Sequence, residues 1–361
     1  MSVEAILASS LWTEDEASES FEPPVKKRKL ATGCAQIDES LGGGFDYGSV
    51  SCISSETESG AKELSYSLIA THLLSSAQCE ATIVDTTNSF DVRRLHKRIV
   101  SALQKRKNVD DAKTEAVQVL ERVRIMKAFD FVGMTECVAE LRESLETREQ
   151  EKSQQEPESS SKEPVAPVPR GTVGDSEDED DMLDDAEPVP LEKPPPLTRS
   201  EEKLLDDRPQ HLLVIDNITY VASPIIKNSH VQGQALLATF MRSLAHLTRA
   251  HNICTLLHNA VMTYQPTTTT EPTPSIFSSC TLRPALGKSF AYLLDMHLLL
   301  HRVPLTVADA KSVYAAHSAI PKSSERLASV LEVLQGRHSD RVGHWSAFKA
   351  DADGNLAGVT A

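Results

Sequence analysis

Residues 50 to 62 read Val50-Ser51-Cys52-Ile53-Ser54-Ser55-Glu56-Thr57-Glu58-Ser59-Gly60-Ala61-Lys62, and residues 63–74 follow directly. The first five residues form a short run of apolar and small side chains, which is typical of a buried strand. After the turn, Leu64, Leu68 and Thr71 recur at helical spacing on one face. The pattern therefore predicts a strand, a polar turn with a single glycine, and a helix.

The same alternation continues along the chain. Continuous apolar strands separated by helices indicate a mainly parallel sheet that helices cover on both faces. Residues 330–348 predict further strands, with an edge hairpin around Gly343. We therefore predict an α/β fold with a mainly parallel central sheet, flanking helices and an antiparallel C-terminal edge. The strand-like runs are residues 81–85, 123–127, 212–216, 253–257 and 293–300, and a second long helical pattern spans residues 234–250.

The turn after the first strand is the first candidate site. A loop that holds nucleotide phosphates reads G-x-x-x-x-G-K-[ST], because glycines expose backbone N–H groups, the lysine neutralises phosphate and the hydroxyl holds Mg²⁺. On that template Ser55 and Gly60 stand at the two glycines, Ala61 at the lysine and Lys62 at the hydroxyl. Lys62 lies one helical step, about 100°, further round, so we expect its ammonium to point away from a bound phosphate.

The strand that ends in Asp216 is the second candidate site. Four apolar residues precede this aspartate, and ATPases use an aspartate at such a strand tip to orient Mg²⁺ or its water. An aspartate that only caps the following helix produces the same pattern. Both interpretations of Asp216 stay open at this point.

Four segments carry a further pattern through their order along the chain. They are residues 32–50, which begin Thr32-Gly33 and contain Gly42-Gly43-Gly44; residues 84–95; residues 213–217; and residues 284–290. In this order they resemble the core of the RecA-type recombinase family. The resemblance covers about residues 32–135 and 210–348, nearly all the chain predicted to be ordered. Within that family the chain is similar to the divergent eukaryotic recombinase paralogues, which assist the main strand-exchange recombinase in DNA repair.

The departures from the family pattern fall on its catalytic positions. The resemblance aligns the family's activating glutamate with Thr87, and a threonine is no general base near neutral pH. It aligns the phosphate-sensing glutamine with Ala260, directly after the retained Asn259. Together with Ala61 and Lys62, these replacements predict no catalytic residue and negligible ATP hydrolysis.

The resemblance also implies a vestigial nucleotide pocket, formed by Ser55, Gly60, Lys62 and Asp216. No cofactor is required by the sequence; ATP and Mg²⁺ are the candidates, with Asp216 as metal ligand only when nucleotide binds. In the family the nucleotide lies between neighbouring protomers. A subunit whose own pocket is inactive therefore still offers its opposite face to the ATP that a partner binds.

Two loops correspond to those that approach single-stranded DNA in the family, at about residues 222–234 and 262–283. Cations bind phosphates and aromatic rings stack on bases, but solvated loops without DNA are an equal alternative. The candidate DNA contacts are Lys227, His230, Tyr264, Arg283 and Lys288. A denser basic surface is either a solvated helix face or a site for DNA or an acidic partner; its residues are Arg93, Arg94, His96, Lys97, Arg98, Lys105, Arg106 and Lys107.

Charge and proline are concentrated in one segment. The chain has 361 residues and a net charge of −15, and residues 147–207 hold 19 acidic against 7 basic side chains together with nine of the 19 prolines. Such a composition does not bury enough apolar surface to offset the entropy of ordering. We therefore predict a disordered insertion at residues 147–207 within one core of residues 31–146 and 208–350. The core is close to neutral, so the overall acidity does not exclude nucleic acid as a partner.

The first 30 residues predict a disordered tail with a basic cluster. Lys26, Lys27, Arg28 and Lys29 follow two prolines, which is the form that importins recognise as a nuclear localisation signal. A chance basic patch, or one that touches DNA phosphates, is the alternative. We expect a nuclear protein with importin as a transport partner.

Cysteine spacing and hydropathy narrow the class of protein. The six cysteines form no C-x-x-C pair and no cluster with histidine, so we interpret them as reduced thiols in the core. No apolar run is long enough for a bilayer and the N-terminus lacks a secretory signal. We expect an intracellular, soluble protein without a membrane partner.

The leading functional hypothesis is a non-catalytic recombinase-paralogue subunit that supports homologous recombination through a protein complex. Its expected partners are other recombinase paralogues or the main recombinase, with weak binding of single-stranded DNA. One rival is a DNA-stimulated ATPase or ATP-binding recombination mediator whose unorthodox pocket uses Lys62 and Asp216. Another is a helicase-type or clock-type relative with no role in repair.

Overall fold

A computed structural model describes residues 28–105, 109–155, 210–263, 274–314, 327–337, 340–351 and 353–359. The chain divides into two compact units, one of residues 1–139 with 210–361 and one of residues 140–209. In the second unit the described residues are the C-terminal part of a helix that ends at Gln155. The features below belong to the first unit.

The described strands are β1 (Lys29–Leu30), β2 (Phe45–Asp46), β3 (Ser49–Ser55), β4 (Glu80–Asp85), β5 (Val123–Lys127), β6 (His211–Asp216), β7 (Cys254–Thr263), β8 (Leu282–Pro284), β9 (Met296–Pro304), β10 (Leu327–Gly336), β11 (Trp345–Ala350) and β12 (Leu356–Gly358). From β3 to β7 the strands alternate with helices, whereas β10, β11 and β12 follow one another directly.

The described helices are α1 (Ala35–Leu41), α2 (Ala61–Ser75), α3 (Val92–Gln104), α4 (Val109–Leu120), α5 (Phe131–Gln155), α6 (Ile218–Asn228), α7 (His230–Ala250), α8 (Gly287–Ala291) and α9 (Val307–Tyr314). Side-chain caps begin two of them, since Asp91 accepts from the first N–H groups of α3 and Asn217 accepts from that of Thr219 in α6. None of the helices in the described ranges is long and apolar enough to cross a membrane.

One sheet organises the described core. Its strand order is β12-β11-β10-β9-β3-β7-β6-β4-β5, and β8 pairs with the end of β7. Strands β9, β3, β7, β6, β4 and β5 run parallel, whereas β10, β11 and β12 add antiparallel pairs at one side. The predicted α/β class, with a mainly parallel sheet and an antiparallel C-terminal edge, is confirmed.

The core lies on both faces of the parallel strands. All six residues of β6 are buried, as expected for a central strand covered on two sides. Helix α2 is buried on more than its predicted apolar face, because Ser67 and Ile69 are fully buried as well as Leu64 and Leu68. The Ser67 hydroxyl donates to the Thr32 carbonyl at 2.7 Å.

Several predicted boundaries differ from the structure. Strand β7 continues to Thr263 because its last residues pair with β8. Strand β9 begins at Met296 rather than residue 293, since Leu293 and Leu294 close a turn after α8. Strand β12 was not predicted from the sequence.

The two predicted disordered segments also begin and end differently. The predicted tail of residues 1–30 includes β1, whose Lys29 pairs with Asp46 of β2. The predicted insertion begins at residue 147, but helix α5 continues to Gln155. Residues 156–209 lie outside the described part of the chain, so the rest of that insertion stays a prediction.

Candidate functional site

The turn after β3 lies at the edge of the sheet where the parallel strands end. It borders a cavity of about 720 Å³, which Thr87 also lines from the loop after β4, Asp216 from the last residue of β6 and Ala260 from within β7. These residues meet because the strands pair in register, with Asp85 opposite Asp216 and Ser55 opposite Ala260. This is the edge at which α/β proteins bind ligands.

The turn itself has a fixed conformation. Gly60 adopts a φ of 94°, and a Cβ there would lie 3.0 Å from the Ser329 hydroxyl oxygen, so only glycine fits without strain. The Ser59 hydroxyl donates to the Glu56 carbonyl at 2.8 Å and closes the turn on itself. The residues predicted for the vestigial pocket all line the cavity: Ser55, Gly60, Lys62 and Asp216. Their role in nucleotide binding stays a prediction.

The first turn of α2 carries the largest departure from a phosphate loop. Ala61 opens the helix, is 7% exposed and presents a methyl group where a phosphate loop has an ammonium. Lys62 lines the cavity, as predicted for the vestigial pocket, and its Nζ donates to the Ser89 hydroxyl at 2.7 Å. The expectation that its ammonium points away from a bound phosphate stays a prediction. Its four-carbon stem reaches across the first helical turn to the loop after β4, which the position of its Cα alone did not indicate.

Asp85 organises the loop after β4. Its carboxylate accepts hydrogen bonds from the backbone N–H groups of Thr87, Ser89 and Phe90 at 3.1, 3.2 and 3.0 Å. The Thr87 hydroxyl also donates to Asp85. The loop therefore presents the Thr87 and Ser89 hydroxyl groups to the cavity, and Asp85 is occupied by holding the loop.

Asp216 ends β6 with its side chain 9% exposed. Its carbonyl oxygen accepts from the Thr86 N–H at 2.7 Å, whereas its carboxylate makes no hydrogen bond or ion pair within the described ranges. The alternative that Asp216 caps α6 is wrong, since Asn217 is the cap and accepts from the Thr219 N–H at 3.0 Å. Asp216 is thus a nearly buried carboxylate at the wall of the cavity.

A chain of buried polar groups lies under the cavity. His297 Nε2 and the Asn259 amide each lie 2.8 Å from the Ser54 hydroxyl. The Thr219 hydroxyl donates to the Asn259 side-chain oxygen and accepts from the Ala260 N–H at 2.9 Å. Burial lowers the pKa of His297 to about 4, so this imidazole is neutral near pH 7, and its tautomer sets which of His297 and Ser54 donates. Asn259 therefore joins the ends of neighbouring strands.

His258 lies between this chain and the cavity. Its Nε2 is 2.6 Å from the Ser65 hydroxyl. Burial lowers the pKa of His258, the Asp216 carboxylate opposes that shift, and the Lys62 ammonium adds to it. His258 is therefore a neutral side chain in the cavity wall.

Comparisons with known proteins agree with this architecture. No protein-family model matches the sequence, and no curated protein matches it. Among solved structures, the crystal structure of the RadB recombinase aligns with a TM-score of 0.52 at 17% identity, over 92% of this chain and 100% of that chain. The fold is RecA-like. At this identity the likeness shows the fold alone.

The residues that line the cavity of this RecA-like core do not match the groups with which a phosphate loop binds a magnesium nucleotide. Glu58 of the turn lies 3.9 Å from Arg302, and Glu63 in the first turn of α2 pairs with Arg94 at 3.2 Å. Acidic side chains at a helix N-terminus repel the phosphates that such a terminus otherwise attracts. The charged lining consists of acidic Glu56, Glu58, Glu63, Asp216 and Asp351 and basic Lys62, Arg94, Arg302 and Lys349.

Three of the charged lining residues carry no signal in the local sequence. Arg302, Lys349 and Asp351 come from β9 and from the end of β11, more than 240 residues after the turn, and no local pattern places them there. Glu56 and Glu58 had a signal in the sequence, since both lie in the phosphate-loop template.

Four of the five residues predicted to contact DNA lie in the described ranges. Lys227 and His230 are exposed on either side of the junction between α6 and α7. Arg283 lies on β8, which pairs with the end of β7, and Lys288 is exposed in α8. Tyr264 lies outside the described residues. Contact with DNA stays a prediction for all five.

Part of the basic surface of α3 makes contacts with other residues of the fold. Lys97 pairs with Asp353 at 2.9 Å, and buried Arg98 donates to Asn355 at 3.0 Å. These contacts attach α3 to the turn between β11 and β12. They favour a structural role for this part of the basic surface; residues 106–108 lie outside the described ranges.

The predicted nuclear localisation cluster is divided by the start of the fold. Lys26 and Lys27 lie outside the described residues. Lys29 belongs to β1 and pairs with Asp46 at 3.2 Å, and the Arg28 carbonyl accepts from the backbone N–H of Tyr47. Recognition of the cluster by importin stays a prediction.

Proposed function

We propose that this chain is a non-catalytic RecA-like subunit that supports homologous-recombination DNA repair through a protein complex. The observation that carries the proposal is the first turn of α2, where buried Ala61 replaces the phosphate-binding lysine while Glu56 and Glu58 line the same cavity. Phosphoryl transfer depends on neutralising developing charge on phosphate oxygens. Thr87 supplies no carboxylate to activate water.

The proposed partners are other recombinase paralogues or the main recombinase. RecA-like cores bind nucleotide between protomers, so this subunit would complete a partner's ATP site with its opposite face. Weak contact with single-stranded DNA through Lys227, His230, Arg283 and Lys288, and nuclear import through Lys26 and Lys27, belong to the same proposal. The RecA-like fold, shared with the RadB recombinase, supports this assignment.

Equilibrium binding of Mg-ATP to the purified full-length chain tests the proposal. We expect no binding at millimolar nucleotide, and Asp216→Ala should change nothing. Micromolar binding that Asp216→Ala weakens would contradict the proposal, because the turn would then hold phosphate despite Ala61.

The role in repair needs a separate test in cells. A strain that lacks the chain should be sensitive to DNA cross-links, and both the natural chain and Asp216→Asn should restore resistance. Absence of any sensitivity would favour the helicase-type or clock-type alternative.

A second candidate function is a DNA-stimulated ATPase, which one observation favours. Lys62 and Asp216 line the same cavity, so an ammonium and a carboxylate are both present although displaced from the template. ATP turnover by the purified chain in the presence of single-stranded DNA, abolished by Asp216→Asn, would establish this alternative. No turnover would exclude it.

A further inference from the structure

A second cavity lies at the opposite edge of the sheet from the candidate nucleotide pocket. It encloses about 540 Å³ between α7, the start of β9 and the end of β10. Three guanidinium groups line it, from Arg242 and Arg249 on α7 and from Arg337 after β10, together with the imidazole of His246. No acidic side chain is among the described residues that line it.

A buried carboxylate holds two of these guanidinium groups in place. Asp295 is 7% exposed, and its Oδ1 lies 3.0 Å from Arg249 Nη2 and 3.4 Å from Arg337 Nη1. Its Oδ2 accepts from the Val50 N–H at 2.9 Å, and Arg337 also donates to the Tyr292 carbonyl at 3.0 Å. The Arg249 and Arg337 guanidinium groups are therefore positioned by the fold. The Asp295 carboxylate that positions them lies beneath the cavity.

The third guanidinium has no such partner. Arg242 and His246 are exposed and lie one turn apart on α7, and neither makes a hydrogen bond or ion pair to another described residue. Three guanidinium groups thus face one carboxylate. The excess positive charge at the rim is available to a ligand.

The floor of the cavity is apolar. Met241, Ala245 and Leu293 form it, and Met241 and Ala245 are nearly inaccessible to solvent. An apolar floor surrounded by arginine is the usual anatomy of a protein-binding hot spot. A guanidinium fork matches a carboxylate in bidentate geometry.

We propose that this arginine-rimmed cavity binds an acidic peptide segment of a partner protein, with one large apolar side chain on the Met241–Ala245–Leu293 floor and flanking carboxylates on Arg242, Arg249 and Arg337. Nucleic acid fits the cavity less well. Grooves that bind single strands stack bases on aromatic rings, and no phenylalanine, tyrosine or tryptophan is among the described residues that line this cavity. The site is separate from the nucleotide pocket, so it does not depend on the function proposed above.

Fluorescence anisotropy on the full-length chain tests this proposal with a labelled synthetic probe, Gly-Asp-Glu-Asp-Leu-Asp-Glu-Gly. The matched probe replaces leucine by serine. We expect the leucine probe to bind at least about tenfold more tightly than the serine probe. Equal affinity for the two probes would overturn the role of the floor.

Charge-reversal variants locate the binding. Arg242→Glu should weaken the leucine probe at least about tenfold and leave the thermal unfolding curve unchanged, since the Arg242 side chain has no partner in the described fold. Lys113→Glu is the matched control, because it changes the net charge equally at an exposed position of α4, outside the basic surface of α3. Equal weakening by both variants would overturn the proposal. The proposal would also be overturned if short oligothymidine or duplex DNA displaced the probe from the natural chain but not from the Arg242→Glu variant.

Discussion

Lys62 and Ser89 join the two loops that form the floor of the candidate nucleotide pocket, since the Lys62 ammonium donates to the Ser89 hydroxyl at 2.7 Å. The contact places the only ammonium of the first turn of α2 against the loop after β4. In a phosphate loop the corresponding charge precedes it by one residue and faces the phosphates. The contact explains how a lysine lines the cavity while the phosphate position itself holds the methyl group of Ala61.

Restoring the template should restore nucleotide binding. In the double variant Ala61→Lys with Lys62→Thr, we expect Mg-ATP affinity to rise at least about tenfold, because a hydrogen bond to a charged group contributes about 1.5–3 kcal/mol. Isothermal titration calorimetry measures the change. Ala61→Met with Lys62→Thr is the matched control of similar side-chain length without charge. An equal gain in both variants, or a gain in neither, would contradict this account of the turn.

The Lys62–Ser89 contact itself should contribute little to stability. It lies at the surface, and exposed polar contacts of this kind change the free energy of unfolding by less than about 0.5 kcal/mol. Urea denaturation of Lys62→Met should therefore match the natural chain. A loss of several kcal/mol would show that Lys62 is a structural residue.

Glu332 provides a stronger structural test, since this carboxylate is 1% exposed on β10. It accepts from the Ser275 hydroxyl at 2.6 Å and from the Ile276 N–H at 2.7 Å. Glu332→Ala should lower the free energy of unfolding by about 3 kcal/mol, because it removes two hydrogen bonds to a buried carboxylate. Glu332→Gln keeps an acceptor and should cost about 1 kcal/mol. Equal losses for the two variants in urea denaturation would contradict the hydrogen-bond argument.

Stability should fall as the pH is lowered from about 6.5 towards 4. Burial lowers the pKa of His72 and of His297 from 6.5 to about 4, so in this range the unfolded chain binds protons that the folded chain does not. The contribution of these two neutral imidazoles to stability is fully present above pH 6.5, their pKa in the unfolded chain, and is lost as the pH falls towards 4. Each histidine contributes a slope of up to about 1.4 kcal/mol per pH unit.

Urea denaturation across this pH range checks the slope. His297→Gln removes one of the buried titrating imidazoles, so its unfolding free energy should depend less steeply on pH. An identical slope in this variant would rule out the buried imidazole as a cause.

Nuclear accumulation should depend on Lys26 and Lys27 more than on Lys29. Lys29 is tied to Asp46 within the paired strands β1 and β2, so it is less accessible to an import receptor. A fluorescent fusion with Lys26→Ala and Lys27→Ala should lose nuclear enrichment, whereas Lys29→Ala should retain it. The reverse result would place the signal elsewhere.

Much of the fold was predictable because short-range patterns determine it. The runs that became β4, β5 and β6 are short and rich in apolar or β-branched residues, and the structure places each within one residue of its predicted bounds. Their parallel arrangement follows from the helices between them. Strand β12 was missed, because three residues that pair only at an edge carry no periodic signal of their own.

The candidate site was predictable only in part. Ser55, Gly60 and Asp216 follow predicted strands, and strand ends that share one edge must meet. The direction of the Lys62 side chain was not predictable, since it depends on Ser89 in another loop. The same holds for Arg302, whose position beside Glu58 requires the pairing of β9 with β3.

The sequence by itself determined the alternation of strands and helices, the absence of the phosphate-binding lysine, and the acidic character of residues 147–207, because each is a property of neighbouring residues. Only the tertiary structure decided which charges surround the cavity at the ends of the strands, and that Asp295 aligns Arg249 and Arg337 at the opposite edge. Those groups are 46 and 42 residues from Asp295 in the chain. Sheet pairing brings them together, and distances of a few ångströms then determine the electrostatics.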